Sequence, residues 1–175
     1  ETSGAEDKGG YAKDLGEALD KNLTLNRELH HRVKNSLQVF SSGLARQFRR
    51  TRVQAARDAL LEARVRLLPF SLTIQYSPAR EDLTLIDTAG YLPELARQIS
   101  AVLGAQQSPI ALSIDCDHLL VSNEVAAALG MIVAETLAAA FLSGAGTADS
   151  PLTLSSQVAP SGEAKLECGS STSPG

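Results

Sequence analysis

Apolar residues recur at helical spacing through the N-terminal part of the chain. Between Tyr11 and Gln47 they mark one apolar stripe on a long predicted helix: Leu25, Leu29, Val33, Leu37, Phe40 and Leu44. From Thr51 to about Ile74 they step alternately by three and four, as in helices packed nearly antiparallel: Val53, Ala56, Leu60, Ala63, Leu67, Phe70 and Ile74. The short link around Arg50 therefore predicts a helical hairpin, kinked at Pro69 because proline lacks a backbone donor.

A lone hairpin leaves apolar surface in water, because two helices cannot cover both stripes. Two hairpins from two copies of the chain can bury them in a four-helix bundle. We therefore predict a homodimer. The alternative is that the hairpin packs on the C-terminal half of its own chain.

Shorter elements of both kinds follow Ser77-Pro78. Asp87 or Thr88 can cap a helix that ends at Gly104. Four of its residues should face inward: Leu92, Leu95, Ile99 and Val102. We then expect a strand over 110–114, an Ala-rich helix over 122–141 and a loop over 143–146. Two further strands, over 152–158 and 164–168, should form a hairpin that turns at 160–162. The predicted fold class is α+β. Residues 1–10 are predicted to be a linker or tag remnant, 11–77 a helical hairpin and 78–175 a small α/β domain.

Composition suits a globular protein, since 43% of the 175 residues are apolar and 21% are charged. A net charge of −4 gives no reason to expect a nucleic-acid partner. Cys116 and Cys168 lack a metal-ligand spacing, prove no disulfide and indicate a reducing compartment. No apolar run reaches the roughly 18 residues of a membrane span, and no signal peptide is visible. We therefore expect a cytoplasmic protein with no membrane contact in this chain.

Five polar residues share one face of the first helix because they are spaced by three and four: Glu28, His31, Asn35, Gln38 and Ser42. His31 should therefore be exposed, with His30 about 100° around the helix. A neutral imidazole is nucleophilic near pH 7, which suits phosphoryl transfer. Glu28, one turn earlier, can accept the proton of one ring nitrogen and leave the other nitrogen free to attack.

The neighbours of His31 suit a phosphoryl group. Arg32 or Lys34 can offset its negative charge, and Asn35 can hold a phosphoryl oxygen or an attacking water. Few residues suffice, because phosphoryl transfer depends mostly on positioning and electrostatics. The alternative is an ordinary surface histidine, which Glu-x-x-His alone does not exclude. We expect no metal site, because adjacent histidines cannot easily face one ion.

The segment Glu28-Leu-His-His-Arg-Val-Lys-Asn-Ser-Leu-Gln38 closely resembles the phosphoacceptor box of sensor histidine kinases of the HisKA_2 and HWE type. In that family the histidine directly before the arginine carries the phosphate, which is His31 here. Three later segments resemble the family's second helix, its junction to the ATP-binding domain and its first ATP-binding helix, at residues 57–76, 86–95 and 130–141. The resemblance covers about residues 15–170 and implies a dimeric four-helix bundle followed by a GHKL or Bergerat-like domain.

The ATP-binding motifs depart from the family pattern. Where the family has Asn-Glu-Leu-x-x-Asn-Ala, residues 134–140 keep Glu135 but place Ala139 at the magnesium-binding asparagine, and alanine offers a cation no oxygen. The Asp-x-Gly that holds adenine is missing from residues 166–175, no Gly-rich lid follows, and the glycines at 144–146 lack a P-loop lysine. The resemblance therefore implies a degenerate ATPase-like domain that binds no ATP.

Such a chain resembles the bacterial histidine phosphotransferases. We predict that it exchanges phosphoryl groups between His31 and aspartates of response-regulator receiver domains, with phosphatase activity open to it through Asn35. Magnesium is expected only on the receiver. The receiver should dock on the second helix and on the first helix near Gln38 to Leu44, through Gln38, Ser41, Ser42 and Arg46. The alternatives are a truncated sensor kinase that autophosphorylates with ATP, and a non-catalytic dimeric adaptor that binds receivers.

Overall fold

The computed structural model of the chain describes residues 3–76, 85–104, 111–147, 149–159, 161 and 163–170. The predicted boundary at Ser77-Pro78, Ile110 of the first predicted strand, and Pro160 and Gly162 of the predicted turn lie outside these residues. The final segment 171–175, which belongs to the stretch without Asp-x-Gly, also lies outside them.

Two long helices form the predicted hairpin. Helix α1 spans Ser3–Arg50 and so begins before the predicted Tyr11, while α2 spans Gln54–Tyr76 and continues through Pro69. The connection over 51–53 is tied back by the amide of Thr51, which donates to the Gln47 carbonyl at 3.0 Å. The 48 residues of α1 make it about 72 Å long, twice the length of the 23-residue α2. The N-terminal half of α1 therefore extends past its hairpin partner.

The C-terminal part is a small α/β layer, which confirms the α+β class. Its elements are β1 (Leu85–Asp87), α3 (Thr88–Leu103), β2 (Leu112–Cys116), β3 (Leu120–Ser122), α4 (Asn123–Leu142), β4 (Leu152–Val158) and β5 (Ala164–Ser170). Strands β1 and β3 pair antiparallel, while β4 lies between β2, to which it is parallel, and β5, to which it is antiparallel. The first predicted strand was two residues too early, because the alternation of residues 110–114 continues to Cys116.

Local signals at the predicted element ends are confirmed. Asp87 caps α3 by accepting a hydrogen bond from the Ala89 amide, and Ser122 caps α4 by accepting one from the Val125 amide. After α4 the chain turns through Gly144, whose φ of 98° is a conformation that favours glycine.

Helix α2 packs on the C-terminal part of its own chain, as the alternative reading of the sequence predicted. Its buried residues are Leu61, Val65, Pro69, Leu72 and Thr73. They join a core built from α3, α4 and the three-stranded sheet: Tyr91, Leu92, Leu95, Ile99, Val133, Leu137, Leu152 and Leu154. The predicted hairpin stripe lies on another face of α2, where Ala56 is exposed and Phe70 is 47% exposed. Helix α2 therefore carries two apolar faces, of which the fold buries one.

A polar junction inside this core joins α2 to α3. The hydroxyl of Tyr91 lies 3.1 Å from Thr73 Oγ1 and donates to the Pro69 carbonyl at 3.3 Å. Burial raises the pKa of this hydroxyl. Nearby, the hydroxyl of Tyr76 donates to the Gly90 carbonyl at 3.1 Å. The bonds of Tyr91 satisfy polar groups away from water, and together with the exposed Tyr76 bond they join α3 to α2.

Helix α4 corrects the expectation that no run is apolar enough to cross a membrane. An 18-residue window of this 20-residue helix has a mean hydropathy of 2.1, which meets that requirement by length and composition. The sequence reasoning overlooked it because Glu135 interrupts the run. One face of α4 lies in the protein core, through Ala126, Gly130, Val133, Ala134, Leu137 and Ala138. A buried core helix accounts for the same composition.

Candidate functional site

His31 lies on the exposed surface of α1, as its spacing predicted, whereas His30 is half-buried. The other four residues of its stripe are exposed as well: Glu28, Asn35, Gln38 and Ser42. A side chain in this position can meet a second protein without any rearrangement of the core.

Glu28 has a different partner from the one predicted. Its Oε2 atom lies 3.8 Å from Nη2 of Arg32, and both side chains are more than half exposed. Among the described residues, no hydrogen bond joins Glu28 to His31. An exposed pair of this kind contributes only about 0–1 kcal/mol, so the carboxylate can exchange it for the imidazole at little cost. The role of Glu28 as a base stays a prediction.

Two surface depressions begin one turn C-terminal to His31. The first, of about 490 Å³, is open and lies on α1 alone, lined by Asn35, Gln38, Val39, Ser42 and Arg46. The second, of about 310 Å³, is a groove between three helices, lined by Lys34, Gln38, Ser41, Ser42, Leu68, Ser71, Gln75 and Gln98. The four residues predicted to bind a partner all line one or both of them. Sequence reasoning placed the receiver on the first two helices but missed the contribution of α3, because Gln98 follows no helical period that marks a site.

Glu135, the acidic residue kept from the ATP-binding motif, contacts the hairpin. Its carboxylate binds the Arg66 guanidinium twice, through Nε to Oε1 and through Nη2 to Oε2 at 3.2 Å. Glu62 approaches the same guanidinium at 3.5 Å. The hydrogen bond from Arg66 lowers the pKa of Glu135. Ala139, one turn further along α4, is exposed. The absence of nucleotide binding stays a prediction. Sequence reasoning missed Arg66, which carries no motif that marks it as a partner of Glu135.

The third histidine, His118, stabilises a helix end. Its Nδ1 atom lies 2.8 Å from Oδ2 of Asp87, the residue that caps α3. Desolvation raises the pKa of the Asp87 carboxyl, but hydrogen bonds from His118 and from the backbone amides of Ala89 and Leu119 outweigh it and leave that pKa lowered. This pair was not predicted, because its members are 31 residues apart and meet only where β1 and β3 pair.

The two cysteines are both free thiols. Cys116 lies opposite Ser156 and Cys168 opposite Leu154, so strand β4 separates them. Two strand spacings amount to roughly 9.5 Å, beyond the reach of a disulfide. Burial raises the pKa of Cys168 to about 11, with Cys116 adding to the effect. Among the described residues, no group of three or more histidine, cysteine or acidic side chains could hold a metal ion.

The structure places an exposed histidine on the long helix of a hairpin that is followed by a small α/β layer. Residues 28–103 match the family model HisKA_2, described as histidine kinase. The chain is 46% identical over 54 residues to the sensor histidine kinase PdtaS of Mycolicibacterium smegmatis, a match that spans 31% of this chain and 11% of that protein. Over residues 28–103 the chain is therefore similar to the HisKA_2 histidine kinases.

The fold is also similar to that of a solved kinase domain. The histidine kinase domain of the blue-light activated histidine kinase from Erythrobacter litoralis EL346 superimposes with a TM-score of 0.53 at 24% identity, over 90% of this chain and 71% of that one. At this level of identity the likeness shows the fold alone. The chain spans about a tenth of the curated relative it matches.

Proposed function

We propose that the chain is a cytoplasmic histidine phosphotransferase of a two-component phosphorelay that works without ATP. His31 receives a phosphoryl group from a phospho-aspartate of one receiver domain and passes it to the aspartate of another. The observation that carries this proposal is an exposed histidine in the box 28–38, in a chain whose helix α4 has Ala139 where the family has its metal-binding asparagine. Glu135 of the same helix is bound to Arg66.

The chemistry needs only the groups around His31. The free ring nitrogen of the neutral imidazole attacks phosphorus, an N–P bond forms, and the P–O bond to the donor aspartate breaks and releases its carboxylate. The proton stays on the other ring nitrogen, where Glu28 accepts a hydrogen bond from it once it has exchanged Arg32 for His31. Arg32 and Lys34 offset the charge of the phosphoryl oxygens. Asn35 positions an oxygen of the phosphate, or a water when the phosphate is lost by hydrolysis.

A homodimer is part of this proposal. The stripe on α1 that the sequence assigns to a bundle is exposed in the single chain, with Leu29 at 59%, Val33 at 45% and Phe40 at 65%. Phe70 of α2 is 47% exposed beside it. A second hairpin would cover these side chains, each worth about 1.5–3 kcal/mol when fully buried. Sedimentation equilibrium should give a dimer that Phe40→Glu weakens at least tenfold and that the surface control Gln47→Glu leaves intact. A monomeric wild type would refute the bundle.

The test of phosphotransfer uses a radiolabelled phosphorylated receiver and the three histidines of the chain. Wild type should take up label from the receiver without ATP, and His31→Gln should take up none. His30→Gln is the matched control, because it removes the adjacent, half-buried imidazole, and His118→Gln removes the one that pairs with Asp87. Both controls should retain label. Equal labelling of wild type and His31→Gln would show that the site is wrong.

Two further measurements separate this function from its alternatives. A truncated sensor kinase would bind Mg-ATP, so micromolar binding in a calorimetric titration would overturn the ATP-independent reading. A receiver-binding adaptor would bind receivers as tightly after His31→Ala as before and would move no phosphate. Magnesium should be required only by the receiver, and nucleic acid should neither bind nor compete.

A further inference from the structure

We propose that helix α3 of the C-terminal layer forms the third wall of the receiver-docking groove, and that Gln98 on this wall is a specificity-determining residue. The inference rests on the proposed function, since it assigns a part of the docking surface next to His31. It gives the degenerate domain a task other than nucleotide binding, namely to help select the receiver.

The groove has one wall from each of three helices. Helix α1 contributes Lys34, Gln38, Ser41 and Ser42, helix α2 contributes Leu68, Ser71 and Gln75, and helix α3 contributes Gln98. Seven of these eight side chains are polar and only one of them is charged. Such a surface offers paired donors and acceptors to a partner, so its complementarity depends on hydrogen bonds more than on buried apolar area.

The groove lies where a receiver must sit to reach His31. Lys34 is three residues and Gln38 seven residues C-terminal to His31, which places them about 4.5 and 10.5 Å further along the helix axis. A domain that brings its phospho-aspartate to His31 therefore also covers this groove. The wall from α3 faces the same partner, because Gln98 lines the groove together with Gln38.

Gln98 is held ready for such a contact. Its Nε2 atom donates to Oε1 of Glu94 at 2.9 Å, and the side chain is half-buried. An amide has two N–H donors and a carbonyl acceptor, so this bond leaves one donor and the carbonyl oxygen for a partner. The partner must then present groups that match them in type and position. A mismatched receiver would bury an unpaired polar group, which is the physical origin of specificity here.

The position of this wall is set by the core and not by a hinge. Tyr91 of α3 is fully buried and hydrogen-bonded to Pro69 and Thr73 of α2. Gly130 of α4 lets the helices approach closely, since a Cβ there would meet Pro69 at 3.0 Å. The groove is therefore formed before the receiver arrives. A preformed site avoids the cost of ordering its walls during binding.

The experiment measures phosphotransfer from whichever receiver labels wild type fastest, with Gln98→Ala, Gln98→Glu and a matched control. The control is Gln54→Ala, because Gln54 also donates to an acidic side chain one turn away, Asp58 at 2.7 Å, but lies outside the groove. We expect Gln98→Ala to raise KM about three- to tenfold with kcat within twofold, the loss of one or two hydrogen bonds. Gln98→Glu should raise KM more than Gln98→Ala does, because it also places a negative charge next to the phosphorylated receiver.

The outcomes distinguish this inference from the proposed function. If Gln98→Ala behaves like Gln54→Ala, or lowers kcat without changing KM, Gln98 does not read the receiver, even where His31→Gln abolishes labelling. If His31→Gln is labelled like wild type, the proposed function fails. In that case the groove is still tested by the dissociation constant of the unphosphorylated receiver. This binding must weaken with Gln98→Ala and must not weaken with Gln54→Ala. Circular dichroism of each variant confirms that α3 is intact.

Discussion

Gly130→Ala should destabilise the protein, although replacing a helical glycine by alanine usually stabilises a helix. A Cβ at this position would meet the Tyr91 hydroxyl far inside van der Waals contact, and would lie 3.0 Å from Pro69 Cβ and 3.1 Å from Leu95 Cδ2. Tyr91 cannot simply turn away, because its side chain is fully buried and its hydroxyl is bonded to Thr73 and Pro69. The extra methyl must therefore displace a bonded group inside the core.

The magnitude follows from opposing contributions. Overpacking a close-packed core costs about 1–3 kcal/mol. Displacing the Tyr91 hydroxyl weakens two hydrogen bonds, each worth about 0.5–1.5 kcal/mol net. The better helix propensity of alanine offsets about 0.5–1 kcal/mol of this. We therefore expect Gly130→Ala to lower the free energy of unfolding by about 1–3 kcal/mol, and Tm by about 2–10 °C for a chain of this size.

A double-mutant cycle with Tyr91→Phe isolates the cause. In the Tyr91→Phe background the hydroxyl is absent, so Gly130→Ala should cost at least 1 kcal/mol less than it does in wild type. Urea unfolding followed by circular dichroism measures all four proteins. Gly43→Ala in α1 is the control, because no atom lies within 4 Å of its added Cβ and the change should be neutral or stabilising by up to about 1 kcal/mol. The reasoning is refuted if Gly130→Ala matches Gly43→Ala, or if its effect is the same in both Tyr91 backgrounds.

The other predictions concern groups whose titration the fold changes. The pKa of Glu135 is lowered by Arg66, so this contact stabilises the fold above the usual carboxyl pKa and is lost as pH falls through the lowered one. Wild type should therefore lose stability in acid more steeply than Glu135→Gln in thermal melts, and parallel curves would contradict this. Asp87→Ala should lower the free energy of unfolding by about 1 kcal/mol at neutral pH, because it removes the cap of α3. Urea unfolding should show that this difference becomes smaller in acid, as the wild-type carboxyl is protonated. With a pKa of about 11 instead of 9.0, Cys168 should react with iodoacetamide at pH 8 roughly 100-fold more slowly in the folded protein than in urea. Peptide mass spectrometry can measure both rates, and equal rates would show that the thiol is not buried.

The elements with strong local signals could be predicted from the sequence. The two long helices have sustained helical periodicity, α3 has the capping residue Asp87, and α4 is rich in alanine. The exposure of His31 followed from the same spacing, since polar residues at steps of three and four share one face. Periodicity is a local property of the chain, so it survives whatever the rest of the fold does.

The packing partners could not be predicted in this way. The sequence showed an apolar stripe on α2 but not that a second face, through Val65 and Leu72, is the one buried in the chain's own core. Strand β2 was predicted to begin two residues too early, because alternation alone does not say where its pairing with β4 begins. Both results depend on which surfaces meet, and helical or strand periodicity contains no information about the partner.

The sequence by itself determined the hairpin, the α+β class and the histidine that a partner can reach, because each depends on residues within a few turns of one another. Only the tertiary structure decided that Glu135 is bound to Arg66 and that α3 brings Gln98 to a groove beside the histidine stripe. Both results join residues far apart in the chain, whose meeting depends on the close approach of α2, α3 and α4 around Gly130.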